Sequence, residues 1–349
     1  MDSAESHQVK KRRVRYKGTH PRRFEEKYKE LQSEIYSSDI NKVLARGQTP
    51  AGTHRPICVD EIVNILNLQP GMKGLDATIG YGGHAQVILS KINPGGHLFG
   101  IDVDPIELPK TENRLRKFGY SNDSLTIRRM NFAGIPQLLS QAGDGFDFIL
   151  ADLGVSSMQI DTPSRGFSFK NDGPLDLRLN PSRGQPVSSS LKSLNVEALT
   201  EILINNADEP HAKNIAAAIF NYKQDINTTR ELASLISNTL SKGSAKLSND
   251  EIKKSQQRVF QALRIFVNDE YNVLEQFLSL LPLCLKTNGR VAILTFHSGE
   301  DRRVKKSFLQ GFRSGIYKEI AREPLRPSPQ ERHSNPRSSC AKLRWAVKL

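Results

Sequence analysis

The stretch Leu75-Asp-Ala-Thr-Ile79, Gly80-Tyr-Gly-Gly-His84, Ala85–Ile92 and His97-Leu-Phe-Gly-Ile-Asp-Val103 decides the fold. A short apolar run leads into a glycine turn. A helical run follows, stopped by Pro94-Gly95-Gly96, and then a second apolar run that carries an acidic residue near its end. That is strand, turn, helix, strand. Working outward, Val59–Leu68 has apolar residues at helical spacing before Pro70-Gly71, Glu107–Phe118 reads as a helix, and Ser124–Arg129 and Phe146–Ala151 read as the third and fourth strands. Alternating strands and helices predict a parallel, doubly wound α/β sheet.

Residues 160–190 are dense in Gly, Pro, Ser, Asp and Arg and read as a loop. Three helical segments then follow without a strand, Val196–Asn206, Pro210–Tyr222 and Thr229–Leu240, as an inserted helical domain. Gln256–Leu285 reads as one long helix ended by Thr287-Asn288-Gly289, and Arg290–Phe296 as a strand that resumes the sheet. A helix over Gly299–Phe312, a strand over Ile316–Ile320, a proline-rich loop and a last strand, Ala341–Leu349, complete the chain. The expected organisation is a basic extension over 1–50 with a short helix at Phe24–Ile35, a core over 51–160, the loop and helical insertion over 161–255, and the rest of the core over 256–349.

Charge is unevenly spread. The 349 residues carry a net +13. Residues 7–24 hold +8 and residues 302–349 hold +10, which leaves a body of −5. Basic ends on an acidic body fit a polyanion partner, nucleic acid first, or a charge that only aids solubility. No apolar run approaches the roughly 20 residues that span a bilayer. The polar start Met1-Asp-Ser-Ala-Glu5 is unlike a secretory signal, so the expected compartment is the cytoplasm, with an organelle as the alternative. Cys58, Cys284 and Cys340 are too scattered for a disulfide framework or a zinc cluster. No nucleophile elbow, metal-ligand spacing or phosphate loop is present, and no metal is expected.

Glycines let a ligand approach the backbone closely, and an acidic residue ending the second strand accepts hydrogen bonds from ribose hydroxyls. Asp102 follows Gly82 by twenty residues. The turn Gly80-x-Gly82-Gly83 lacks the Gly-x-Gly-x-x-Gly of dinucleotide sites. It therefore suits S-adenosylmethionine, with Asp76 placed to meet the cofactor's amino group. The plainer reading is a tight βα connection. Asp152 ends the fourth strand and either faces a ligand or caps the next helix. Phe132 either stacks on adenine or belongs to the core. His297-Ser298-Gly-Glu-Asp-Arg302-Arg303 follows the fifth strand; Ser298 and Glu300 read as ligand contacts or as helix caps, and Arg302, Arg303, Lys305 and Lys306 suit phosphates.

These residues resemble the ribosomal RNA small-subunit methyltransferase H family, also called MraW-type. The resemblance rests on His54-Arg-Pro56 with Asp60-Glu61, Gly80–His84, Gly100-Ile-Asp-Val-Asp-Pro105, Asp152-Leu-Gly-Val-Ser-Ser-Met-Gln159, Arg165-Gly-Phe-Ser-Phe169, Asp172-Gly-Pro-Leu-Asp176 and Arg183-Gly184. Further along it rests on Arg258-Val-Phe-Gln-Ala-Leu-Arg264, Phe296-His-Ser298 with Glu300-Asp-Arg302, Asn335-Pro-Arg337 and Lys342-Leu-Arg344. It covers residues 53–347. It implies a class I S-adenosylmethionine-dependent methyltransferase fold and methylation of the exocyclic N4 of a cytidine in the decoding region of small-subunit (16S-type) rRNA. It implies cofactor contacts at Gly82, Gly83, His84, Asp102, Phe132, Asp152 and Gln159, and a catalytic role for Asp152. Substrate contacts are expected at Ser156, Ser157, Arg165, His297, Ser298 and Arg302, with help from the helical insertion. The partner would be small-subunit rRNA or the small ribosomal subunit. Gly299 stands where the family pattern more often has Leu, and Ala207-Asp-Glu209 departs from a Gly-Glu/Asp-Glu pattern. Amine methylation needs no enzyme cysteine, and the cysteines lie outside the crevice motifs. The competing classes are a non-catalytic RNA-binding or assembly factor and a methyltransferase for DNA or protein.

Overall fold

The computed structural model describes residues 56–242 and 247–349. The expected Phe24–Ile35 helix and the basic block 7–24 lie outside the described residues. Helix α1 (Val59–Leu66) precedes β1 (Lys73–Asp76), α2 (Gly83–Ile92), β2 (His97–Asp102), α3 (Leu108–Lys117) and β3 (Leu125–Arg129). A 3-10 turn over Phe132–Leu138 and the short α4 (Leu139–Ala142) lead to β4 (Phe146–Asp152). Next come α5 (Ser157–Asp161), α6 (Val187–Ser193), α7 (Val196–Ala207), α8 (Ala212–Phe220), α9 (Thr229–Ser241), α10 (Asn249–Asn268) and α11 (Glu270–Cys284). Strand β5 (Leu285–Thr295), α12 (Ser298–Arg313), β6 (Tyr317–Ile320), α13 (Pro329–Ser334) and β7 (Lys342–Lys348) follow.

The seven strands are ordered β3-β2-β1-β4-β5-β7-β6. β1 to β5 are parallel, and β7 runs antiparallel to both its neighbours. This is the sheet of class I S-adenosylmethionine-dependent methyltransferases. Both faces are covered, so the inner strands read as continuous apolar runs. Along β4 and β5, Ile149, Ala151, Val291 and Ile293 join the core on one face, beneath α11. Phe148, Leu150, Ala292 and Leu294 join the core on the other, beneath α1 and α2. A third core lies among the helices after β4 and runs from Leu175 to Leu263. No helix among the described residues is long and apolar enough to cross a membrane.

Helices α6 and α13 lie in stretches expected as loop, and α10 starts at Asn249 rather than Gln256; three further departures have a visible cause. β1 ends at Asp76 rather than Ile79, because the Thr78 side chain turns to accept the Asp152 N–H while Thr78 N–H bonds the Asp76 carboxylate. The long helix is two helices that meet at Asp269, whose φ of 53° is left-handed. Asn268 fixes that break: its amide gives hydrogen bonds to the Leu177 and Arg264 carbonyls and accepts one from Leu179 N–H. Thr287-Asn-Gly289 does not end a helix. It forms a bulge inside β5, between the pairs Phe146–Leu285 and Phe148–Arg290.

Candidate functional site

Three neighbouring parallel strands, β2, β1 and β4, each end in an aspartate: Asp102, Asp76 and Asp152. Strand order reverses across β1, so these carboxylates stand where ligands settle in open α/β sheets. Asp76 is 2% exposed, and its carboxylate accepts the Thr78 N–H at 3.2 Å. Burial pushes its carboxyl up to about 7, and the charges of Asp152 and Asp102 add to the rise against His84 and the Thr78 N–H. Burial and the negative charge of Glu300 push Asp152 up to about 7 as well. Burial also raises Asp102, against hydrogen bonds from Asp104 and Gly80 N–H at 2.9 Å each. Three carboxyls disfavoured as anions would be relieved by a cation.

His84, in the first turn of α2, is buried. Its Nε2 donates to the Ile57 carbonyl at 3.0 Å, which leaves Nδ1 as an acceptor 3.6 Å from Asp152 Oδ2. Two acceptors face each other unless a proton sits on one of them. Burial lowers the imidazole below its ordinary value, against the pull of Ile57 O and Asp76, so the carboxyl competes well for that proton.

The glycine turn is a cradle. Gly82 caps α2 with φ of 82°, and a Cβ there would meet Thr111 at 3.0 Å. Thr111 donates to the Gly80 carbonyl, and Arg114 donates to the Tyr81 carbonyl. A Cβ on Gly83 would press on Pro56 at 2.9 Å. The backbone, the acidic strand ends and the spacing suit a cofactor with a cationic centre and a ribose, as S-adenosylmethionine has. Phe132 opens the 3-10 turn after β3, half-buried, with its ring 5.0 Å from that of Phe277.

The remaining expected contacts divide. Ser156 caps α5 in a reciprocal box with Gln159. The Gln159 amide also donates to Asp104 at 2.7 Å, and Arg165 donates to the same carboxylate oxygen at 2.7 Å. Arg165 further bonds the Arg178 and Leu179 carbonyls. The polar ends of Gln159 and Arg165 are thus engaged within the protein, tying the 160–180 loop to the turn after β2. Ser157 begins α5 beside them. His297 caps α12: Nδ1 accepts the Glu300 N–H at 3.4 Å, and Nε2 stands 3.2 Å from Glu300 Oε1. Burial would raise the Glu300 carboxyl, but His297, Arg264 and the Phe296 N–H outweigh it and hold it low. Ser298 and Arg302 are exposed on α12, with Arg302 3.5 Å from Asp208, a surface pair worth little.

Asp104 is a hub that sequence reasoning missed. Its signal was the second acid of Asp102-Val-Asp104-Pro. Glu331 was also missed: it accepts the Cys58 N–H at 3.0 Å from 273 positions away, which no local pattern announces. That contact brings Cys58 near the crevice, and the exposed Cys340 comes near Glu300. Both thiols are raised, first by burial, Cys58 to about 12, so they stay protonated and poorly nucleophilic at neutral pH. The two departures from the family pattern also find partners. A Cβ at Gly299 would fall 1.9 Å from the Tyr271 hydroxyl, which donates to Asn206 O while Arg303 lies 3.4 Å over the ring. Glu209, 2% exposed, binds Ser255 at 2.8 Å and Arg258 at 2.7 Å, joining the end of α7 to α10.

Residues 51–349 match the model of the MraW methylase family. The chain is 53% identical to ribosomal RNA small subunit methyltransferase H 2 of Alkaliphilus metalliredigens, over 100% of both chains. It is 53% identical to ribosomal RNA small subunit methyltransferase H 1 of Lachnoclostridium phytofermentans, over 97% of this chain and 93% of the relative. The ribosomal RNA small subunit methyltransferase H of Trichlorobacter lovleyi is 37% identical, with 85% of this chain and 98% of the relative covered.

Proposed function

This chain belongs to the MraW methylase family, and on that premise we propose that it methylates the exocyclic N4 of a cytidine in small-subunit (16S-type) rRNA in the cytoplasm. The observation that carries the reading is the row of aspartates at three strand ends, with Asp152 raised to about 7 beside His84. Gly82, Gly83 and Asp102 would hold the nucleoside end of S-adenosylmethionine, and Asp76 its amino group. When bound, the cofactor supplies an electrophilic methyl on a cationic sulfur.

A cytidine amine is a poor nucleophile, because its lone pair is delocalised into the ring. It must be aligned, and it must lose a proton as the new N–C bond forms. Asp152 accepts that proton. Its carboxyl stands at about 7 in the cofactor-free site, and a bound cation favours its ionised form, which is ready to take the proton as the amine turns acidic. His84 Nδ1 is placed to share the proton with Asp152 or take it onward. Protonated thiols argue against C5 methylation, which needs a cysteine nucleophile. The target base must leave its stack or be presented unpaired to reach a crevice at this depth.

Incubation of the purified protein with methyl-labelled cofactor and unmodified small ribosomal subunits, followed by digestion to nucleosides, tests the proposal. N4-methylated cytidine is the expected labelled product. Label in another nucleoside, or in protein, would refute it. Absence of cofactor binding by calorimetry would favour a pure binding factor.

A further inference from the structure

Arg337, of the Asn335-Pro-Arg337 motif, has no part in the site described so far. It lies in a 3-10 turn, Pro336–Cys340, immediately before β7. Lys342 opens β7 and pairs with Thr295, the last residue of β5, so this turn stands at the crevice end of the sheet. From there Arg337 Nη2 donates at 2.7 Å to Asp161, the last residue of α5. Helix α5 begins five residues after Asp152. The guanidinium therefore crosses from the start of β7 to the helix after β4, flanking the mouth of the crevice.

Its Nη1 is buried and has no acceptor among the described residues. A buried donor on a charged group without a partner is costly. The carboxylates of this edge are committed elsewhere. Glu300 takes the Phe296 N–H, Asp301 takes Lys342 and Arg344, and Glu331 takes the Cys58 N–H. The Arg337 side chain as a whole is 36% exposed, so a substrate seated at this edge can bring the acceptor that Nη1 lacks.

We propose that Arg337 is a substrate-positioning residue: Nη1 donates to an oxygen acceptor of the target nucleotide while Asp161 holds the guanidinium in place. The acceptor is a phosphate oxygen or the base carbonyl, chemically alike to an N–H donor. The inference rests on the rRNA reading above and names a contact that this reading does not use.

Full-length R337Q and R337K are assayed on small ribosomal subunits from cells lacking the gene, with cofactor affinity measured by calorimetry. The expected result is a KM for subunits raised tenfold or more in R337Q, with cofactor affinity within twofold of the parent. R337K keeps a charge for Asp161 but loses the second arm of the fork, so its KM also rises with the fold intact, even if R337Q folds poorly. If the acceptor is phosphate, the slope of log kcat/KM against log salt becomes shallower by about one. If it is the base carbonyl, the slope is unchanged while KM still rises. A KM within twofold of the parent in both variants overturns the inference, as does a parallel loss of cofactor affinity. A parent that transfers no methyl to subunits brings down the rRNA reading and this inference with it.

Discussion

Replacing Asp76 with asparagine should stabilise the cofactor-free protein at pH 8.5 and not at pH 5. The carboxyl stands at about 7, against an ordinary value of 3.8. A group raised in this way binds its proton more tightly folded than unfolded. Stability therefore falls as pH climbs from about 4 through about 7, and above 7 the folded state carries the full penalty. A gap of about three pH units amounts to ~4 kcal/mol as a ceiling. Asparagine keeps the acceptor for the Thr78 N–H but buries an amide N–H₂, which takes back roughly 1–2 kcal/mol. The net gain at pH 8.5 is then about 2 kcal/mol. At pH 5 the folded carboxyl is protonated but the unfolded one is largely ionised, a parent penalty of roughly 1.6 kcal/mol that nearly cancels the amide loss, so parent and variant should then be about equally stable. Urea unfolding of dialysed parent and variant at both pH values measures this. Calorimetry on the same samples should show weaker S-adenosylmethionine binding, since one anion facing the cation is gone. An Asp76→Asn effect equal in sign and size at both pH values would refute the reasoning, because Asp76 would then ionise as an ordinary surface acid.

Asp152→Asn should lower kcat by roughly 10²–10⁴-fold with cofactor still bound. In the parent, kcat/KM for the cofactor should rise with pH to a plateau above about 7. The inflection in kcat should lie lower, because a bound cation favours the ionised carboxyl; identical inflections would count against the proton-acceptor role. Gly299→Ala places a methyl against the Tyr271 hydroxyl and should cost about 1–3 kcal/mol in unfolding experiments, with Tyr271→Leu recovering most of it in the double variant. Glu209→Gln should cost roughly 2 kcal/mol, below the usual figure for a buried pair because Arg258 is 30% exposed, and it should leave cofactor affinity unchanged.

The sheet was legible because its strands are buried on both faces, which makes Phe148–Ala151 and Val291–Leu294 unbroken apolar runs. The glycine turn and Asp102 were legible because their spacing is local. What escaped was set by contacts distant in the chain. The break at Asp269 depends on Asn268 reaching Leu177 and Leu179, and the residues around it keep helical spacing, so periodicity alone joined the two helices. Gln159 and Arg165 stood out by motif, but their common partner Asp104 lies more than fifty residues earlier. The end of β1 at Asp76 turns on Thr78 meeting Asp152 across the sheet, which a one-dimensional reading does not contain.

The central claim is methyl transfer to a cytidine amine of small-subunit rRNA, and mass-spectrometric mapping of that rRNA from cells with and without the gene tests it most directly. The account predicts one cytidine that carries an N4 methyl in the parent and lacks it in the deletion, restored by the intact gene and not by Asp152→Asn. Identical modification maps from the two strains would contradict it.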